Sequence, residues 1–324
     1  MGYGRRGWQG VKILPIIAPL VLLSSSIAAL PAQPVVPAQT GITAASTVAK
    51  AYELILDANF EQLDKTLPAV CPPAPMAACR GLESLSLWWQ IQLDLDNRQL
   101  DAKFLSTVNA AIAETERFAA AEPRRAEAWF YVGAAYGARS QFRVYRLERL
   151  AAARDGKRIK EALERALILD PAMHDAEFGI GMYRYYAGVA PAIFRFLRFL
   201  FLLPGGDREG GLQQLERAGV RGLLVKDEAQ FQIHILYLWY EQKWQQALTI
   251  IRGLQERYPH NPLFRQIEAE ILDVYFHDPA ASLKASQQLL SLAQSRAVFR
   301  ADVAERVARR NIAKQTLALQ AKKP

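Results

Sequence analysis

The sequence predicts an all-α protein, an α-solenoid of about six stacked antiparallel helix pairs. From residue 45 onward, apolar residues recur three or four positions apart, and no segment alternates as a half-buried strand would. A helical pattern that stops at a proline also recurs, over residues 111–123, 159–171 and 247–259. Because proline lacks an N–H group and restricts the residue before it, each copy marks a helix end.

The composition is that of a globular protein without a nucleic-acid partner. The 324 residues are 51% hydrophobic and 22% charged, which is enough apolar material for a sizeable core. Residues 1–32 hold three bases and no acid, so their removal lowers the net charge from +8 to +5. Nucleic-acid binding would require a denser basic face with aromatic platforms. No cofactor is predicted.

The first 32 residues read as a signal peptide. Arg5, Arg6 and Lys12 precede an apolar run over residues 13–30, and Pro31-Ala32 follows it. An uncleaved membrane anchor is the alternative. The run of 18 residues is at the short end for spanning a bilayer and contains two prolines, which favours cleavage. The predicted location is therefore periplasmic or secreted.

Three segments are predicted after the signal peptide. Residues 33–44 are rich in Pro, Ala, Gln and Gly and form a linker. Residues 45–296 form the helical solenoid, with early helices over about 48–67, 82–94 and 101–121. Residues 297–320 form a C-terminal helix that caps the stack.

Two cysteines, Cys71 and Cys79, flank a proline-rich turn. An exported protein meets oxidising conditions, so the predicted state is a disulfide, and two free thiols are the alternative. Neither a C-x-x-C pair nor other metal-ligand spacing is present, so no metal site is predicted.

One helix pair carries a recognisable repeat motif. Trp129, Val132, Gly133 and Tyr136 follow the spacing W-x-x-[aliphatic]-G-x-x-Y, and the following helix ends at Asp170-Pro171. This pair resembles the tetratricopeptide-repeat superfamily, as does the segment 227–259. The looser resemblance covers roughly 45–293. The anchors are not evenly spaced, which indicates degenerate repeats with insertions between Tyr136 and Ile159 and between Gly181 and Gly211.

A second resemblance covers residues 185–218. Tyr185-Tyr186-Ala187-Gly188 precedes an apolar stretch that ends in Leu203-Pro204, and Gly206-Asp207-Arg208 then leads to Gly211-Leu212. This order is similar to the eukaryotic tetratricopeptide family that includes the inclusion-body clearance protein. That resemblance implies a protein-binding adaptor without catalysis. This chain differs from that family in having a predicted export signal.

Residues 190–204 form an unusually apolar segment. Nine large apolar residues lie between Ile193 and Leu203, interrupted only by Arg195 and Arg198. Three interpretations remain: an extra core helix, a docking surface for a hydrophobic partner, and a membrane-surface contact. The phenylalanines of this segment are Phe194, Phe196, Phe199 and Phe201.

The concave groove of a solenoid is its usual binding surface, and the first helix of each pair lines it. We therefore expect the partner-binding residues to lie on first helices or in residues 139–165, which hold nine bases and four acids. Those bases form either a solvated face or a site for an acidic partner, since clustered charge steers association. The candidates are Tyr136, Arg139, Arg143, Arg184 and Tyr237.

No catalytic residues are predicted. The four histidines form no H-E-x-x-H, and G-x-S-x-G is absent. The glycines over residues 205–211 are not preceded by a strand, so we interpret them as a turn in which Asp207 caps the next helix. The predicted function is a non-catalytic exported scaffold for protein or peptide partners. The alternative is a carrier or membrane-surface protein for apolar ligands that uses residues 190–204. The oligomeric state is not predicted.

Overall fold

The structure, a computed structural model, describes residues 37–189 and 206–321. Those ranges contain thirteen helices and no strand, apart from one isolated bridge between Gln39 and Arg125. The prediction of an all-α fold is confirmed. The helices are α1 (Ala45–Leu56), α2 (Phe60–Val70), α3 (Met76–Gln92), α4 (Asp101–Ala121), α5 (Ala126–Tyr145), α6 (Arg149–Leu169), α7 (His174–Val189), α8 (Arg208–Arg221), α9 (Lys226–Trp239), α10 (Trp244–Arg257), α11 (Pro262–Val274), α12 (Pro279–Gln294) and α13 (Ala301–Ala321).

Consecutive helices pack against each other in pairs. The strongest pairing is within α5/α6 and α7/α8, followed by α12/α13, α11/α12 and α3/α4. Successive pairs are also in contact, for example α4 with α5 and α6 with α7. This is the solenoid arrangement that the sequence predicts, in which each pair buries apolar surface against its neighbours. The predicted signal peptide lies outside the described residues.

Prolines end the helices where the pattern predicts. Helices α4, α6 and α10 each stop two residues before a proline, at Pro123, Pro171 and Pro259. The predicted cap at Asp207 is also confirmed, because its Oδ1 accepts a hydrogen bond of 2.9 Å from the backbone N–H of Gly210. A carboxylate at this position pairs a donor that the first turn of α8 leaves free.

The predicted early helix over 48–67 is wrong in one respect, because it is two helices. Helix α1 ends at Leu56 and α2 begins at Phe60. Between them Ala58 has a φ of 56°, in the left-handed region, and the N–H of Asn59 donates to the carbonyl of Leu54. No glycine or proline stands in this turn, and the signals for the break are Asp57 and Asn59, residue types that are common at helix ends.

The predicted first insertion extends a helix pair and adds no loop. Helices α5 and α6 are 20 and 21 residues long, and only three residues, 146–148, connect them. Gly133 of α5 lies against Leu163 of α6, where a β-carbon would come within 2.4 Å of Leu163 Cδ2. The glycine of the repeat motif therefore allows the close approach that its spacing predicts.

The predicted disulfide is confirmed. Cys71 and Cys79 are bonded, with their Cα atoms 6.3 Å apart. The bond connects the end of α2 to the first turn of α3. A disulfide of this kind is typical of a non-reducing compartment.

Candidate functional site

The inner surface of the solenoid is filled by the chain itself. Trp89 of α3 is fully buried, and its ring centroid lies 5.1 Å from that of Phe231 in α9 and 6.0 Å from that of Phe264 in α11. The neighbouring Trp88 packs edge-to-face on Phe142 of α5, at 6.5 Å. A helix that contacts α5, α9 and α11 together lies along the surface that these first helices share. Helix α3 therefore covers part of the surface on which the binding groove was expected.

The segment that precedes α2 closes one edge of the same surface. Residues 39–57 run past the amino-terminal ends of α5, α7, α9 and α11. Their hydrogen bonds join Gly41 N to Asp170 (2.9 Å), Thr43 N to Glu127 (2.8 Å), Tyr52 Oη to Glu228 (2.9 Å) and Asn261 Nδ2 to the carbonyl of Leu56 (2.7 Å). The described part of the predicted linker is thus held against the solenoid by its hydrogen bonds to α5 and to the end of α6.

Glu228 is the buried acid at the centre of this contact. Its carboxylate accepts from Tyr52 Oη and, at 3.1 Å, from Gln232 Nε2, and the residue is only 4% exposed. Burial raises the pKa of Glu228, although hydrogen bonds from Gln232 and Tyr52 act in the opposite direction. The sequence contained no signal for this group, since a glutamate in the first turn of a helix is usually exposed.

We expect this acid to make stability depend on pH. The pKa of this carboxyl group is higher in the folded chain than its ordinary value of 4.5. Below pH 4.5 the group is protonated in both the folded and the unfolded chain, so it does not lower stability. As pH rises above 4.5 the unfolded chain loses this proton first, so stability falls until the folded pKa is reached. The variant Glu228→Gln should therefore lose less stability than the wild type between acidic and neutral pH. Urea unfolding measured over that range tests this, with the exposed Glu256→Gln as the control for the loss of one charge. Parallel pH profiles for wild type and Glu228→Gln would contradict it.

Three of the candidate partner-binding residues form one cluster, on the side of α5 that faces α4 and α6. Tyr136 Oη donates to Glu116 of α4 at 2.9 Å. The Arg139 guanidinium lies 5.0 Å above the Tyr136 ring and donates twice to Asp155 of α6, at 3.1 and 2.7 Å. Arg143 donates to the same carboxylate at 2.6 Å. These side chains connect α4, α5 and α6 to each other, and none of their hydrogen bonds reaches α3.

Beside this cluster an open groove lies between α4 and α6, with α5 as its base. We call it the α4–α6 groove. Its volume is about 330 Å³. Small apolar side chains and one tryptophan form its floor and wall, and an ion-paired rim surrounds them: Ala119, Ala120, Trp129, Val132 and Ala162, with Glu116, Arg158 and Glu161. Arg158 bridges the two glutamates at 2.7 and 3.6 Å.

The other two candidates lie further along the solenoid. Tyr237 of α9 donates to Glu216 at 2.7 Å, and the Lys243 amine lies 4.9 Å above its ring. Arg184 of α7 is half-buried, and its carbonyl accepts from the N–H of Asp207 at 3.0 Å. Neither of them lines the α4–α6 groove. The phenylalanines of the apolar segment, Phe194, Phe196, Phe199 and Phe201, lie outside the described residues.

Over residues 37–189 and 206–321, no cluster of His, Cys, Asp and Glu has the arrangement of a metal site. His234 is a core residue, and its burial lowers its pKa to about 4. Among the helices described, none is both long enough and apolar enough to cross a bilayer. The sequence matches no protein-family model and no curated protein.

Proposed function

We propose that this chain is a non-catalytic, exported scaffold of the tetratricopeptide type, and that it binds peptide segments of protein partners in the α4–α6 groove. The observation that carries the proposal is the groove itself, which is open, has an apolar lining and has a charged rim. It includes Trp129 and Val132 of the repeat motif W-x-x-V-G-x-x-Y. The inner surface is the weaker candidate, because a peptide there would have to displace the fully buried Trp89.

The dimensions of the groove suit one bulky apolar side chain. Alanines at positions 119, 120 and 162 leave space that larger residues would fill, and Trp129 provides an aromatic wall. Pockets of about 300 Å³ and more, apolar with a few polar groups, are typical ligand sites. Aromatic walls of this kind also dominate the energetics of protein interfaces.

The rim adds a requirement for charge. Arg158 and Glu116 are 52% and 39% exposed, so their ion pair is solvated and contributes little to stability. A charged peptide residue can therefore replace one member of the pair at low cost. The proposed ligand is a peptide with a leucine or phenylalanine next to a lysine or glutamate. Export agrees with the disulfide between Cys71 and Cys79 and with the composition of residues 1–32.

Filling the groove should weaken this binding. Ala120 is exposed at the mouth of the groove, so Ala120→Trp should lower the affinity at least tenfold, a loss of ~1.4 kcal/mol. The measurement is fluorescence anisotropy with labelled peptides that carry a central Leu, Phe or Ala flanked by Lys or by Glu. Peptides with a central Ala should bind weakly.

The matched control is Ala110→Trp. Ala110 is also an exposed alanine of α4, but it does not line the groove, so the same enlargement there should leave the affinity unchanged. Thermal unfolding of both variants should match that of the wild type. The proposal fails if no Leu or Phe peptide binds the wild type, or if Ala120→Trp binds as well as Ala110→Trp.

A further inference from the structure

Several large aromatic side chains are exposed together on one part of the surface. Trp239, Tyr240, Trp244 and Tyr186 are 65%, 38%, 40% and 36% exposed. The ring centroids of Tyr186 and Tyr240 are 6.0 Å apart, and Trp244 lies 5.8 Å from Tyr275. Trp239 is a neighbour of Tyr275. Burial raises the pKa of the Tyr275 hydroxyl, and an interaction with the Trp239 side chain lowers it. These five side chains, Tyr186, Trp239, Tyr240, Trp244 and Tyr275, are the aromatic edge.

The aromatic edge lies at the carboxyl-terminal ends of the first helices. Tyr186 stands in the last turn of α7, Trp239 is the last residue of α9, and Tyr275 directly follows α11. First helices of successive pairs run in the same direction, so these ends share one side of the solenoid. The segment 39–57 covers the opposite, amino-terminal ends. The aromatic edge therefore lies on the side of the molecule away from that segment.

The described residues on either side of positions 190–205 lie at this edge. Helix α7 ends at Val189, and the chain re-enters at Gly206, whose backbone lies so close to that of Gly188 that a β-carbon would not fit. The N–H of Asp207 also donates to the carbonyl of Arg184. The sixteen residues between, 190–205, include the nine large apolar residues of the sequence from Ile193 to Leu203. The described residues Val189 and Gly206, which flank this run in the sequence, are therefore close to Tyr186.

We propose that the aromatic edge is a membrane-contacting surface, which rests in the headgroup region of a lipid bilayer. Trp and Tyr are the side chains that favour this region, because each combines an apolar ring with a polar group. Isolated exposed apolar residues elsewhere, such as Ile168 and Leu317, are normal on a protein surface. A group of neighbouring exposed aromatic side chains is less usual, and such patches are typical of contact sites.

The charges beside the patch agree with lipid as the occupant. The Arg208 guanidinium is half exposed at the start of α8 and ion-paired to Glu241 at 3.0 Å, and Lys243 lies over the Tyr237 ring nearby. Cationic groups that flank aromatic rings can meet lipid phosphates while the rings leave water. This surface is separate from the α4–α6 groove, so the two proposals can fail independently.

Site-specific labelling tests the proposal with the full chain. Both native cysteines are in the disulfide, so a cysteine introduced as Trp239→Cys is the one free thiol, and it can carry a polarity-sensitive nitrobenzoxadiazole dye. Vesicles of mixed phosphatidylcholine and phosphatidylglycerol should shift its emission to shorter wavelength. The exposed controls Ile168→Cys and Leu317→Cys should show no shift, even if residues 1–36 attach the chain to the vesicle.

A second variant measures the contribution of the rings. Replacement of Tyr240 and Trp244 by serine should lower vesicle partitioning of the Trp239→Cys label at least about tenfold, since two rings no longer leave water. Equal shifts at positions 239, 168 and 317, or none at position 239, would overturn the proposal. So would a shift without vesicles that grows with protein concentration, because the occupant would then be a second copy of the chain.

Discussion

Trp89→Ala will lower the free energy of unfolding by about 3–5 kcal/mol, the largest effect that we expect from any single truncation in α3. Trp89 is fully buried between α9 and α11, where it contacts Phe231 and Phe264. Its removal leaves a cavity at the position where α3 fills the inner surface. A loss of this size is a large fraction of the stability of an ordinary domain.

Guanidinium chloride unfolding, followed by far-UV circular dichroism, measures this change. The control is Trp244→Ala, which removes the same side chain from a position that is 40% exposed and should cost less than about 1.5 kcal/mol. If the two variants unfold at the same denaturant concentration, α3 does not fill the inner surface in the way the contacts indicate.

Gly211→Ala will destabilise the protein by about 1–3 kcal/mol or more, although alanine is the better helix former. A β-carbon at Gly211 would lie 2.6 Å from the backbone nitrogen of Tyr185 and 2.8 Å from the carbonyl oxygen of Gly181. Both obstacles are backbone atoms of α7, so no rotation of a side chain can relieve the clash. Helices α7 and α8 would have to move apart.

The matched control is expected to change stability in the opposite direction. Gly253 of α10 is also a helical glycine, but a β-carbon there would meet only the end of the Arg257 side chain, at 3.6 Å. Gly253→Ala should therefore stabilise the protein by roughly 0.5–1 kcal/mol, because it lowers the entropy cost of ordering the helix. Thermal unfolding of the two variants measures both effects. Stabilisation by both substitutions would show that α7 and α8 do not approach at Gly211.

The candidate site was predicted in part. The repeat motif placed Tyr136 and Arg139 on one helix, and the structure brings them together with Arg143, Glu116 and Asp155. The surface they face was not predicted, since the repeat pattern indicated the inner groove. Residues three or four apart share a helix face, but periodicity does not say which neighbouring helix that face meets. The rim and floor of the α4–α6 groove come from three helices, and only their packing reveals it.

The sequence by itself determined the local structure of this protein. Helical periodicity fixes the fold class, Pro123, Pro171 and Pro259 fix helix ends, and the glycine of the W-x-x-V-G-x-x-Y motif marks a close helix contact. The cysteine pair belongs to the same group, because its partners are eight residues apart. These features depend on interactions within one helix, within a short loop or between two consecutive helices, which spacing and residue type can encode.

Only the tertiary structure decided which surfaces are open. Most residues of helix α3 are buried, the polar Ser84, Ser86 and Gln92 among them, and no local pattern predicts its partners Phe231 and Phe264, more than a hundred residues away. The burial of Glu228 under Tyr52 and the grouping of Tyr186, Trp239 and Tyr275 at one edge have the same origin. Each depends on how successive helix pairs stack and on where helices α1 to α3 pack against the later pairs. Contacts of that range are set by the summed packing of many elements, and no local pattern in the sequence records them.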